Sequence, residues 1–157
     1  MQMARAPFQV LVYPYRRINP DTADTFEYAL LKRSDAGFWQ AIAGGGEDHE
    51  TPLQAAQREA HEEAGLSASL PFLRLDTVEP VRVTEFRDSY LWGDDVYVIP
   101  QYCFGVLVND RHIVLSGEHT DYAWLNYDQA YVRVKYDGNK TALWELDKRL
   151  RGRGPRG

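Results

Sequence analysis

The sequence predicts a layered α/β (α+β) domain, and three observations carry that expectation. β-forming runs recur between residues 8 and 125, residues 52–64 carry a full set of helix start and stop signals, and residues 141–150 form a second amphipathic segment. At 157 residues, with 44% apolar and 26% charged side chains, the chain has the make-up of one globular domain. No repeat, low-complexity block or linker divides it. Residues 1–150 are therefore expected to form a single domain, with the Gly- and Arg-rich residues 151–157 a frayed tail.

Taken in order, residues 8–15 (FQVLVYPY) predict a first strand and residues 26–31 a second, separated by the turn-forming cluster NPDTAD at 19–24. Residues 39–43 are short and apolar and run into Gly44-Gly45-Gly46, which predicts a tight, open turn. Thr51 is placed as an N-cap, Pro52 at the first helical position, and Gln54 completes a Thr-x-x-Gln capping box. The helix is expected to end at Ala64, with Gly65 as a left-handed terminator. Leu53, Ala56, Ala60 and Ala64 recur at helical spacing, a narrow apolar stripe suited to close packing on a sheet. Residues 72–83 and 96–108 predict long strands, and 111–115 and 122–125 shorter ones. Residues 127–132 predict a brief helix, and 141–150 a longer one whose Leu143, Trp144, Leu146 and Leu150 form its apolar face.

Bulk properties remove several function classes. A net charge of −5 is the wrong sign for binding nucleic-acid polymers. No apolar run reaches the roughly 18 residues of a membrane helix, and Met1–Pro7 lacks the apolar core of a secretory signal. Cys103 has no partner for a disulfide, which favours a reducing compartment; the cytoplasm is the expectation. The histidines show no zinc pattern, His61-Glu62-Glu63 lacks the second histidine of a zinc-protease helix, and no Gly-Lys-Ser/Thr follows the triple glycine, so a P-loop is excluded.

The acids are concentrated. Glu47, Asp48, Glu50, Glu59, Glu62 and Glu63 fall within one short stretch. Glu59, Glu62 and Glu63 are expected to project side by side from the helix face opposite the alanine stripe, near a C-terminus where the macrodipole disfavours negative charge. Like charges at that spacing cost a few tenths of a kcal/mol per pair, and Arg58 is the one counter-charge in the same turn. A hard divalent cation would remove the conflict. The plain alternative is a solvated acidic face, and on charge alone it is the commoner outcome.

The spacing weighs against that alternative. Gly44, Glu50, Arg58-Glu59, Glu62-Glu63 and Gly65-Leu66 stand in the pattern G-x5-E-x7-R-E-U-x-E-E-x-G-U, where U is a bulky aliphatic residue. All seven fixed positions match, which chance produces at about 10⁻⁸ per starting position. The segment thus resembles the box of the Nudix hydrolases. Ala60 stands where a larger aliphatic residue is usual, and His49 where many members have glycine.

The resemblance implies an α/β/α sandwich around a mixed β-sheet, and a magnesium-dependent hydrolase that cuts phosphoanhydride bonds of nucleotide-like small molecules, with manganese as a substitute metal. It implies metal ligation by Glu59, Glu62, Glu63 and the Gly44 carbonyl, with Glu50 acting through water and Arg58 organising the acids. Phe38-Trp39-Gln40, residues 82–86, Glu118-His119 and Trp124-Leu125 are further similar to bacterial dihydroneopterin triphosphate pyrophosphohydrolases, which adds Glu118 to the catalytic and metal set. Glu62 and Glu118 remain alternatives for the base.

Lys32, Arg33, Arg82 and Arg87 are candidate phosphate contacts, with Arg33 and Arg82 preferred; exposed surface charge is the plain alternative. Trp39, Phe86, Tyr90, Trp92 and Tyr97 could stack on a ring, although aromatics more often serve cores. Trp39 and Phe86 join the two arginines as expected substrate contacts. The aromatic-rich segment 86–97 is also a candidate homodimer surface. Two other classes of function compete with hydrolysis: a Nudix-like module that binds a nucleotide without cutting it, and a structural domain with a merely solvated acidic helix.

Overall fold

The computed structural model describes residues 5–19 and 25–152. Its centre is β1 (Arg5–Arg17), followed by β2 (Phe26–Arg33), β3 (Trp39–Gln40), β4 (Ile42–Glu47), α1 (Pro52–Ala64), β5 (Phe72–Arg82), β6 (Val98–Leu107), β7 (His119–Leu125), α2 (Tyr127–Arg133) and α3 (Asp137–Arg151). Two short 3-10 turns, Val83–Glu85 and Arg87–Trp92, lie between β5 and β6.

The described strands form one sheet in the order β3-β2-β1-β6-β5, with β4 on β1 and β7 on β2. β1 pairs with β6 in parallel, while its pairings with β2 and β4 are antiparallel, so the sheet is mixed. Val10, Leu11, Val12 and Tyr13 are wholly buried, as a central strand covered on both faces requires. Side-chain alternation divides them. Val10 and Val12 join Ala55, Ala56, Ala60 and Ala64 of α1, whereas Leu11 and Tyr13 join Ala130 of α2 and Leu143 and Leu146 of α3. The product is the expected three-layer α+β sandwich. No helix among the described residues is long and apolar enough to cross a membrane.

Helix α1 has the predicted signals: the Thr51–Gln54 capping box is closed from both sides, and Gly65 is left-handed at φ 70°. Ala55 lies with the buried alanines, while Leu53 is 42% exposed. The apolar stripe is therefore made of alanines alone, and their small volume lets the helix lie close against β1 and β4. At the other face, the Tyr13 hydroxyl donates to the Asn139 carbonyl (2.8 Å) and the Tyr28 hydroxyl to Asp147 Oδ1 (2.7 Å), holding α3 to the sheet.

Several expectations are corrected. Residues 44–46 continue β4 instead of turning: Gly44 pairs with Val10 and Gly45 with Gln9. The glycines answer crowding, because a Cβ on each would meet the Glu59 carboxyl, the Arg5 guanidinium and the Phe8 ring in turn. Residues 111–115 are not a strand. Arg111 turns its fork onto Glu27, and Val114 donates its amide to the Ala64 carbonyl, so the segment is spent on closing the end of α1. Trp144 is half exposed and is not part of the apolar face of α3. That helix begins at Asp137, earlier than its apolar pattern suggests, and includes Arg151, which pairs with Asp147 at 3.0 Å. The turn expected at 19–24 lies, from residue 20 onward, outside the described residues, as does the tail from residue 153.

Candidate active site

The loop between β4 and α1 carries the first acids. His49 takes the left-handed conformation at φ 70°, which accounts for the glycine usual at this place in similar sequences. The turn lets the Glu47 amide donate to Glu50 Oε1 (2.8 Å), while the Glu50 amide donates to the Glu47 carbonyl (3.0 Å). Glu50 is thereby aimed at the second turn of α1.

There Arg58 gathers the acids. Its Nε and Nη2 donate to the two oxygens of Glu50 at 2.8 and 3.0 Å, a fork-to-fork pair. Nη1 donates to Glu59 Oε1 at 2.8 Å and to Glu62 Oε2 at 3.3 Å, and Nη2 also to the Gly45 carbonyl at 2.8 Å. One guanidinium thus ties the loop, the helix and β4 together. Burial pushes the Glu50 pKa up, but the Arg58 fork and the Glu47 amide outweigh it and hold the carboxyl below its ordinary value.

The acids do not share one solvated face. Glu59 and Glu63 are 8% and 5% exposed and lie with the alanines, while Glu62 is exposed on the flank. The expectation of a ridge opposite the stripe is corrected, and the reason is space: Gly44 leaves room on β4 for the Glu59 carboxyl. Burial raises the pKa of Glu59, against the pull of Arg58. Glu63 is pushed up to about 9, by burial first and then by Glu118 and Glu59 beside it. Its Oε2 is buried without a hydrogen-bond donor. Glu118 arrives from the turn before β7, where its carbonyl accepts from the Ser34 amide at 3.0 Å.

Buried acids pressed together, one with an orphaned oxygen, are a donor set suited to a hard cation. Among the described residues no three Asp, Glu, His or Cys side chains already stand at metal-ligand spacing. Magnesium does not require that, since it takes one or two carboxylates and completes its octahedron with water and substrate phosphates.

On the α3 side of the sheet lies a cleft of about 590 Å³, lined by Arg33, Phe38, Gln40, Ala43, Glu79, Arg82, Phe86 and Tyr136 among others. Arg33 connects it to the acids, for its cation interacts with both Glu118 and Glu63 while its fork holds Asp35 at 2.7 and 2.8 Å. A shallower hollow of about 570 Å³ on the outer side of α1 is lined by Glu50, Arg58, Gln57 and His61 but not by Glu59 or Glu63, and offers no Phe, Tyr or Trp surface.

Arg33, Arg82 and Phe86 therefore come together in one cleft, and Trp39 does not. Phe38 and Gln40 line the cleft, whereas Trp39 packs against the core cluster shared with α2 and α3, with Arg133 5.3 Å from its ring. Tyr90 and Tyr97 are more than three-quarters exposed, and Trp92 donates to the Arg5 carbonyl (2.9 Å). Sequence reasoning missed Gln9, Glu79, Gln101 and Asn139, which also line the cleft. A signal existed for two of them: Gln9 and Gln101 interrupt otherwise apolar strands, where a polar residue needs a reason.

The NUDIX domain model matches residues 18–146. The chain belongs to the Nudix family. This Nudix chain is 31% identical over 144 residues to the dihydroneopterin triphosphate diphosphatase of Escherichia coli (strain K12), covering 88% of itself and 91% of that protein. It is 30% identical over 132 residues to the asymmetrical bis(5'-nucleosyl)-tetraphosphatase of Sus scrofa, covering 83% and 85%. Among solved structures, the E. coli dihydroneopterin triphosphate pyrophosphohydrolase superposes with a TM-score of 0.74 at 26% identity, over 94% of this chain and 99% of that one. These likenesses accord with an enzyme of the Nudix pyrophosphohydrolase kind.

Proposed function

We propose that this Nudix chain is a magnesium-dependent pyrophosphohydrolase that cuts a phosphoanhydride bond in a small nucleotide or pterin triphosphate. One observation carries the reading: Glu59 and Glu63 are buried, Glu63 with an unsatisfied oxygen beside Glu118, and Arg33, whose cation interacts with Glu63 and Glu118, also lines the cleft that holds Arg82.

Glu59, Glu63 and Glu118 would hold the metal, with Glu62 and the Gly44 carbonyl as the remaining donors implied by the family pattern. Bound there, magnesium neutralises phosphate oxygens and lowers the pKa of a coordinated water. Manganese, which shares magnesium's preference for oxygen donors, is expected to replace it. Arg58 acts through the others: it fixes Glu50 and Glu59 and so sets where charge stands. Arg33 and Arg82 bind the polyphosphate, and Phe38 and Phe86 give flat apolar surface to the ring. Trp39 keeps its place in the core. For the proton of the attacking water, Glu118 is the better candidate base, because Glu62 is engaged by Arg58.

The substrates named for the relatives, dihydroneopterin triphosphate and dinucleoside tetraphosphates, define the panel to test. Purified protein is incubated with these, with nucleoside triphosphates and with ADP-ribose, with and without magnesium, and phosphate and pyrophosphate are measured. Release that needs magnesium and is lost in Glu63→Gln is expected. Binding without turnover across the panel would move the assignment to a nucleotide-binding module. The exposed Tyr90, Leu91 and Tyr97 support pairing of two copies through segment 86–97, which sedimentation tests directly.

A further inference from the structure

The cleft contains a half-buried acid that the proposed hydrolysis does not use. Glu79 on β5 pairs across the sheet with Gln101 on β6, and Gln101 with Gln9 on β1, so the three side chains leave the same face in one row. Arg5 Nη2 donates to Gln9 Oε1 (2.8 Å), Gln9 Nε2 to Gln101 Oε1 (3.0 Å), and Gln101 Nε2 to Glu79 Oε2 (2.6 Å). The direction of this row is fixed from its cationic end. Arg5 can only donate, so each glutamine must accept on its Arg5 side and donate on the other. Glu79 stands at the far end as a pure acceptor.

Its surroundings leave it short of partners. Gln101 is its hydrogen-bond donor, and among the described residues no Lys or Arg pairs with it. Burial raises its pKa, as expected for an acid lacking a counter-charge. The carboxyl lies against Gly138, where any Cβ would overlap it, so the first turn of α3 is kept bare around it. Asn139, 6% exposed, lines the same space, and Phe38, Tyr136 and Phe86 contribute aromatic surface.

A carboxylate offers two acceptor oxygens side by side and no donor. Its best planar complement is a ring edge with two adjacent N–H groups. The N–H and 2-amino groups of a 2-amino-4-oxopyrimidine, common to guanine and the pterins, present that edge. Adenine presents a ring acceptor beside its amino group, which a carboxylate repels, and uracil one N–H between two carbonyls. We propose that Glu79 is the ring-specificity residue of this cleft, its carboxylate accepting both hydrogens of a 2-amino-4-oxopyrimidine whose phosphates extend toward Arg33. Where the phosphates go rests on the proposed hydrolytic reading; the recognition of the ring does not.

The test is therefore binding without turnover. Calorimetry compares the α,β-methylene analogues of GTP and ATP, and neopterin monophosphate, on the intact protein and on Glu79→Gln. The guanine analogue, neopterin monophosphate or both should bind about 10- to 100-fold more tightly than the adenine analogue, as charge-assisted hydrogen bonds predict. Which of the two binds better identifies guanine or pterin as the source of the ring. The preference should vanish in Glu79→Gln, which replaces one of the two acceptor oxygens with a donating NH2, and in Gly138→Ala, which displaces the carboxyl without altering it. Equal binding of all three by the intact protein, or a preference that survives Glu79→Gln, would overturn the proposal. A protein that discriminates rings but hydrolyses nothing leaves the proposal standing and removes the hydrolytic reading, whereas hydrolysis without ring preference does the reverse.

Discussion

The Glu59 carboxyl occupies the volume that a side chain on Gly44 would need. A buried acid on a helix and a bare backbone position on a strand are thus one feature, built from residues 15 apart. The helix can lie close enough to β4 for its acid to be enclosed because β4 has no side chain there.

Gly44→Ala should accordingly displace Glu59. Overpacking of this kind costs about 1–3 kcal/mol, and a shifted ligand reduces turnover at least about tenfold. Urea melts together with initial rates check both. Unchanged activity in a folded Gly44→Ala protein would show that Glu59 does not need its enclosed position.

Glu63→Gln separates stability from function. Burial beside Glu118 and Glu59 lifts the Glu63 pKa to about 9, so near neutral pH folding forgoes the ionisation that the unfolded chain keeps; glutamine carries no such cost and should stabilise the metal-free protein by about 1–2 kcal/mol. Activity should fall at least about a hundredfold, and magnesium should no longer raise Tm, since a ligand stabilises only the state that binds it. A less stable, fully active variant would contradict the assignment.

Arg58→Lys keeps the charge and loses the fork. One ammonium cannot satisfy Glu50, Glu59 and the Gly45 carbonyl together as the guanidinium does. A drop of about 10- to 100-fold in kcat with little change in KM is expected, because Arg58 positions the acids and does not touch substrate. An effect confined to KM would point to direct substrate contact.

Acid stability should depend on Glu27. Burial opposes its ionisation, but Arg111 and Arg16 outweigh that and hold the carboxyl below its ordinary pKa. A depressed carboxyl contributes stability that is fully present above the unfolded value, about 4.3, and is lost as pH falls through the lower folded value. Stability measured between neutral pH and about pH 2 should therefore decline more steeply in the parent than in Glu27→Gln. Parallel curves would exclude the contribution.

His49 tests the loop. A β-branched residue tolerates the left-handed region poorly, so His49→Val should cost about 1–2 kcal/mol, while His49→Gly should be neutral or mildly stabilising. If His49→Val is as stable as the parent, the loop has another conformation available.

What could be seen in the chain itself were features set by near neighbours. The capping box, the proline at the first helical position and the glycine terminator define α1 because each acts within a few residues. Helical pitch likewise brought Arg58, Glu59 and Glu63 together, while Glu50, which precedes the helix, was joined to them by the resemblance to the Nudix box.

Tertiary structure decided which side of an element faces what. Gly44–Gly46 reads locally as a turn and is a strand, because what those glycines avoid are Glu59, Arg5 and Phe8 from elsewhere in the chain. The acids were expected on the helix face opposite the alanine stripe, and two of them are enclosed with the alanines. Phe38 takes the cleft and its neighbour Trp39 the core. Glu118 meets Glu63 across 55 residues, and Glu79 meets Gln101 and Gln9 through strand register. Local propensity carries no information about such pairings. They follow from burying the apolar faces of seven strands and three helices at once, among the described residues, and that is a condition on the whole chain.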